Sequence, residues 1–113
     1  MLVENDLDLS VEAALRLLHI DGTLKGYHFL AYGIKLAVLE PRRTELITKD
    51  IYPDIAREFK TTVSRTERNI RFAVAACWWK AGEVLDQMAG HHLDKRPTNR
   101  QFIDMVAFFV RSN

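Results

Sequence analysis

From Ser64 to Lys80 the chain reads SRTERNIRFAVAACWWK, and no Gly or Pro interrupts it until Gly82. So long an uninterrupted run predicts one helix over about residues 64–80. Ser64 stands three residues before Glu67, the S-x-x-E spacing of a capping box. In such a box the hydroxyl accepts from an orphan backbone N–H and the Glu reaches back to the cap. Winding the run at about 100° per residue places Ile70, Ala73, Val74 and Cys77 on one face, with Val63 leading into it. Ser64, Arg68, Arg71 and Ala75 fall opposite, flanked by Arg65 and Glu67. The inner face is a packing stripe, and the outer face is basic over its first two turns.

A helix anchored from behind that presents Arg, Glu and Arg near its start has what major-groove reading requires. Arg forms a bidentate pair with guanine, Glu accepts from cytosine N4, and the groove is wide enough for a helix. The plain alternative is a surface helix with a solvated charged edge, and the surrounding sequence has to separate the two. The net charge of +1 says nothing for nucleic acid, but its distribution does. Residues 57–80 carry six Lys or Arg against two Glu, a local charge of +4, whereas residues 1–12 carry four acidic groups and no basic one, −4. A local basic footprint of this kind attracts phosphate whatever the total.

With 113 residues, 48% hydrophobic and 27% charged, the chain is expected to form a single soluble domain (1–113) with a real core. Cys77 is the only cysteine, which leaves no intrachain disulfide and no Cys-based zinc cluster; a small core residue in a reducing cytosol fits it. The first dozen residues are acidic, unlike a signal peptide, and the longest uncharged apolar run, Phe72 to Trp79, is too short to cross a bilayer.

Residues 1–8 read as a loose acidic lead-in. Ser10 caps a helix lined by Val11, Ala14, Leu15 and Leu18, ended by Asp21-Gly22-Thr23. A second helix, about Leu24 to Leu39, repeats Tyr27, Ala31, Ile34 and Val38 and stops at Pro41. Thr44 is placed to cap a short helix containing Leu46, Ile47 and Ile51. Pro53 suits the first turn of another, Pro53 to Phe59, with Ile55, Ala56 and Phe59 inward. The short connection Lys60–Val63 then makes residues 53–80 a helix-turn-helix. A further helix covers Glu83 to Ala89, His91 and His92 follow in a polar loop without metal-ligand spacing, and Pro97-Thr98-Asn99 opens the last helix with Phe102, Met105, Val106 and Phe109 inward. No strand-like alternation competes, so the fold class is all-α, a bundle of about six helices.

IYPDIAREFKTTVSRTERNIRFAV, Trp78, and RPTNRQFIDMVA (residues 96–107) together resemble the C-terminal DNA-binding effector domain of the sporulation master response regulator of spore-forming Firmicutes. Weaker similarity at Leu24-Lys25-Gly26-Tyr27 and Ile47-Thr48-Lys49 extends the resemblance over nearly the whole chain. It implies a six-helix domain that binds short TGTCGAA-like promoter boxes, often as tandem copies. The family's SR-x-ER positions fall here on Ser64, Arg65, Glu67 and Arg68, with Thr66 as the variable residue between. Arg65 would read a guanine, Glu67 a cytosine, and Arg68 a base edge or nearby phosphate; a Glu67 engaged with a base gives up the capping box. Position and charge add Lys60, Thr61, Thr62, Ser64 and Arg71 as contacts to the DNA backbone. The family's receiver domain with its phosphorylated Asp has no counterpart in these residues, which implies an excised effector domain or a stand-alone protein; the acidic start at Met1 slightly favours the second. The segment Glu83–Arg96 is a few residues shorter than in the family, where that neighbourhood contacts the RNA polymerase sigma subunit.

The leading expectation is a cytoplasmic, nucleoid-associated transcription regulator that binds double-stranded DNA without cofactor or metal. The second is a non-enzymatic protein-interaction module, an antagonist of a full-length regulator of this type. An enzyme is not expected: G-x-S-x-G, a Gly-rich phosphate loop and H-E-x-x-H are all missing from the sequence, and Cys77 lies on the apolar stripe rather than beside a His. Trp78 and Trp79 point about 100° apart on a helix, Trp78 inward and Trp79 at the rim.

Overall fold

The computed structural model describes residues 4–112, and among them the only regular elements are helices. Six are α-helices: α1 (Glu4–Leu17), α2 (Tyr27–Leu39), α3 (Ile51–Glu58), α4 (Val63–Lys80), α5 (Gly82–Ala89) and α6 (Asn99–Ser112). A 3-10 turn, Pro41–Leu46, joins α2 to the approach to α3. The all-α class and the helix-turn-helix are as the sequence predicts; several boundaries differ, each for a local reason.

The first difference is at the start. Of the lead-in expected to be loose, residues 1–3 lie outside the described part, but residues 4–8 are helical and Ser10 sits inside α1 instead of capping it. Leu7 explains the extension, because it prolongs the stripe Val11, Ala14, Leu15, Leu18 by one turn and all five are buried. α1 also ends earlier than Asp21. His19 takes a left-handed conformation, φ 61°, and the Ile20 N–H bonds back to the Leu15 carbonyl at 2.9 Å, a wrapped helix end built without glycine.

α2 runs through the middle of the bundle and packs on α1, α3, α4 and α6. With neighbours on several sides, its buried arc is wider than a single stripe. Tyr27 and Ile34 are buried as expected, but Leu30, Gly33 and Ala37 are buried too, while Ala31 and Val38 are only partly covered.

Thr44 does not cap a helix of Leu46, Ile47 and Ile51. It lies inside the 3-10 turn that Pro41 initiates, buried, its hydroxyl hydrogen-bonded to the Pro41 carbonyl at 3.1 Å and to the Asp104 carboxylate. Leu46 stands in solvent, and Ile51 begins α3 instead. Pro53 falls in the first turn of α3, where its missing N–H has no helical partner to lose. Arg43 fastens the two pieces by donating to Asp50 (2.8 Å) and Asp54.

At the other end, α5 closes at Gly90, φ 81°. Asp86 then organises the polar loop, accepting from the Leu93 N–H at 2.9 Å and from the His92 ring at 2.8 Å. These bonds hold the Asp86 carboxyl below its ordinary range, the Leu93 amide most strongly, and the carboxylate raises His92 in turn. No group of three or more His, Cys, Asp or Glu among the described residues is arranged to hold a metal. No described helix is long and apolar enough to cross a membrane.

Candidate nucleic-acid interface

α3 is followed by a four-residue turn, Phe59 to Thr62, that sets where α4 begins. Lys60 adopts a left-handed conformation, φ 53°, and the Thr61 N–H returns to the Ala56 carbonyl at 2.9 Å. Thr62 is extended, and its hydroxyl accepts from the Arg65 N–H at 3.1 Å. The cap is therefore Thr62, not Ser64, and the capping box expected from Ser64 and Glu67 does not form. Starting at Thr62 puts Val63 on the first turn, where it packs against the core, and lets the buried Thr66 hydroxyl donate to the Thr62 carbonyl at 2.9 Å. Thr66, expected to be the variable residue between reading positions, is thus an inward-facing part of the helix start. Thr62→Ala should lower stability by about 1–2 kcal/mol. Ser64→Ala, whose side chain is exposed, should stay within about 0.5 kcal/mol. Thermal unfolding of the two variants without DNA checks the pair.

Behind the helix, Ile70, Ala73, Val74 and Cys77 are all buried, as the helical wheel predicts. Burial pushes the Cys77 thiol up to about 12, so it stays protonated at neutral pH and acts as a small apolar core residue. Trp78 packs partly against the core; Trp79 stands clear of the rim, 83% exposed, with Phe72 exposed about two turns before it.

In front, six of the eight expected contact residues line one surface recess: Thr62, Ser64, Arg65, Glu67, Arg68 and Arg71. The other two, Lys60 and Thr61, lie in the turn that leads into it. Arg65 and Arg68 are exposed, and neither guanidinium has an ionic or hydrogen-bond partner among the described residues. Glu67 and Arg71 are engaged with each other, carboxylate to guanidinium Nε at 3.1 Å, both partly exposed. Such an i,i+4 surface pair is worth a few tenths of a kcal/mol and opens readily when a better partner arrives.

One supporting residue escaped the sequence reading. Asn99, buried at the start of α6, donates to the Tyr52 hydroxyl on α3 (3.0 Å) and to the Glu67 carbonyl on α4 (3.1 Å). One amide thereby fixes the mutual placement of the two helices of the helix-turn-helix. Burial raises the Tyr52 phenol, so at neutral pH it is a neutral hydroxyl able to accept this bond. The signal was present in Thr98 and Gln101. Each backbone N–H of that pair bonds the other's side chain, at 3.0 and 3.1 Å, a genuine T-x-x-Q capping box that sets Asn99 at the first position of α6.

The family described as "Sporulation initiation factor Spo0A C terminal" has a model that matches residues 11–110 of this chain. The chain belongs to the Spo0A C-terminal family. Members of that family are DNA-binding domains of a sporulation regulator. Its match runs from the second half of α1 almost to the end of α6, so the turn, the recess on α4 and the Asn99 clamp all lie within it.

Proposed function

We propose that the protein is a sequence-specific DNA-binding transcription regulator in which α4 is the recognition helix and reads a short TGTCGAA-like box in the major groove. The observation that carries this reading is the state of Arg65 and Arg68. Both project from the first two turns into solvent without partners, while the opposite face of the same helix is sealed in the core. Side chains so placed reach a base edge without giving up a contact within the protein.

In this reading Arg65 pairs with a guanine through its two-pronged guanidinium, and Arg68 takes a neighbouring base edge or phosphate. Glu67 accepts from cytosine N4, with Arg71 released from Glu67 to a phosphate. Lys60, Thr61 and Ser64 meet the backbone at the mouth of the groove. Thr62 serves both roles, because its oxygen caps Arg65 while its proton remains available to a phosphate oxygen. Binding in tandem and contact with the polymerase sigma subunit belong to the same reading, as does action on the nucleoid in the cytoplasm.

Replacing Arg65 by Ala should weaken binding to a TGTCGAA duplex by about 1–3 kcal/mol and relax preference at one base pair. Lys60→Ala should weaken binding to all sequences alike. Competition titrations against single-base variants of the box distinguish the two patterns, and an Arg65→Ala variant with unaltered base preference contradicts the assignment. A second reading, a protein-interaction module acting on a full-length regulator, draws on Phe72 and Trp79, whose exposed rings lie on α4 beyond the basic turns. Co-purification of such a regulator, with no retardation of DNA by this protein, would favour it.

A further inference from the structure

A helix lying in the major groove, about 12 Å wide, has a phosphate strand on each side. The two flanks of α4 are distinct in this molecule. On the flank of Asn69 the chain at Gly26 comes close, since a Cβ placed there would lie 2.4 Å from the Asn69 carbonyl oxygen. On the other flank, that of Glu67 and Arg71, lies a second surface recess bounded by Thr48, Tyr52, Arg96, Thr98 and Arg100. Glu67 and Arg71 line both this recess and the one over the reading residues, so the two adjoin at that ion pair.

We propose that Arg96 and Arg100, with the Thr48 and Thr98 hydroxyls, form a second backbone-contact surface that holds the phosphate strand on the Arg71 side of the groove. This extends the interface from the helix-turn-helix to the start of α6, and it rests on α4 being the recognition helix. Three arginines, Arg71, Arg96 and Arg100, face this recess against Glu67. Arg96 is exposed and has no ionic partner among the described residues. Arg100 is only loosely held, its Nε 3.9 Å from the Asp104 carboxylate, which also takes the Thr44 hydroxyl. When Arg71 keeps its bond to Glu67, Arg96 and Arg100 are the cations left to face phosphate. The Asn99 amide holds this surface in register with α4, because it bonds the Glu67 carbonyl directly. A phosphate strand, rather than an acidic peptide, is the fitting partner because the recess adjoins that of the reading residues, on one side of the same helix.

The test compares wild type with Arg96→Ala, Arg100→Ala and the double variant, using a TGTCGAA duplex and a scrambled duplex of equal length at several salt concentrations. The double variant should bind both duplexes about tenfold more weakly. The slope of log affinity against log salt should become shallower by about 1–2, since each neutralised phosphate contributes about 0.9. The ratio between the two duplexes should not change, and Arg96→Lys/Arg100→Lys should restore affinity and slope. Unfolding temperatures should match wild type, because both side chains are exposed. Wild-type affinity and slope in the double variant overturn the proposal, as does weaker binding confined to the TGTCGAA duplex. A wild type that binds both duplexes equally defeats base reading by α4, while a shallower slope in the double variant still upholds the backbone surface. A wild type that binds neither duplex overturns both.

Discussion

Gly26→Ala should destabilise the protein by about 3–4 kcal/mol, lowering the unfolding temperature by more than about 10 °C for a chain of this size. Two effects add. Gly26 has φ 95°, a left-handed conformation that costs an L-residue about 1–2 kcal/mol. The new methyl would also lie 2.4 Å from the Asn69 carbonyl oxygen and 2.8 Å from its carbon. Both atoms belong to the backbone of α4 and cannot swing aside as the end of a side chain can, so relief requires the loop and the helix to separate; such overpacking costs about 1–3 kcal/mol. Gly22→Ala is the internal control, because a Cβ at Gly22 meets nothing within 4 Å. It should unfold within about 0.5 kcal/mol of wild type. Equal unfolding temperatures for the two variants would show that the chain does not approach α4 at Gly26 as described.

Asn99→Leu should cost about 2–3 kcal/mol, even though the substitution enlarges the apolar content of the core. Leucine supplies neither bond, and the Tyr52 hydroxyl, buried against α6, loses its donor. Leaving a buried polar group without a partner is the expensive half of a lost hydrogen bond. Removing the hydroxyl as well should return much of the loss. Tyr52→Phe combined with Asn99→Leu is thus expected to be more stable than Asn99→Leu alone, a coupling visible in a double-mutant cycle by denaturant unfolding. Additive losses would mean that the amide and the phenol act independently. Because the same amide bonds the Glu67 carbonyl, Asn99→Leu should also weaken DNA binding beyond what its partial unfolding explains.

These two residues mark where sequence reading stops. The inner stripe of α4 was legible because four apolar side chains recur at helical spacing within an uninterrupted run, and a wheel needs nothing more. Phe102 and Val106 were legible for the same reason. Gly26 was visible only as a residue between helices, since its close approach to Asn69 depends on where a helix forty residues later passes. Asn99 looked like part of a helix start, and its partners lie 47 and 32 residues away in the chain.

The caps show a subtler failure. Two capping-box patterns are present, Ser64–Glu67 and Thr98–Gln101, and only the second forms. Pattern alone cannot rank Thr62 against Ser64 as the start of α4. The choice follows from packing: beginning at Thr62 covers Val63 and Thr66, and beginning at Ser64 would not. α1 lengthened for a similar reason, with Leu7 supplying burial that an acidic composition had obscured. The outward placement of Ser64, Arg65, Glu67, Arg68 and Arg71 was legible, because the outer arc of a helix is the complement of its buried arc. What lay beyond reach was the flank at Arg96 and Arg100, which tertiary folding brings beside Arg71 from the first turn of α6 and the loop before it.

Base reading by the first two turns of α4 is the proposal from which the other roles follow. Its most direct test is the affinity of the intact protein for a TGTCGAA duplex against a scrambled duplex of the same length and composition, measured by titration at matched salt. At least about a hundredfold preference for the box is expected, persisting as salt is raised, since salt acts on the phosphate contacts common to both duplexes. Equal affinities at every salt concentration would contradict it.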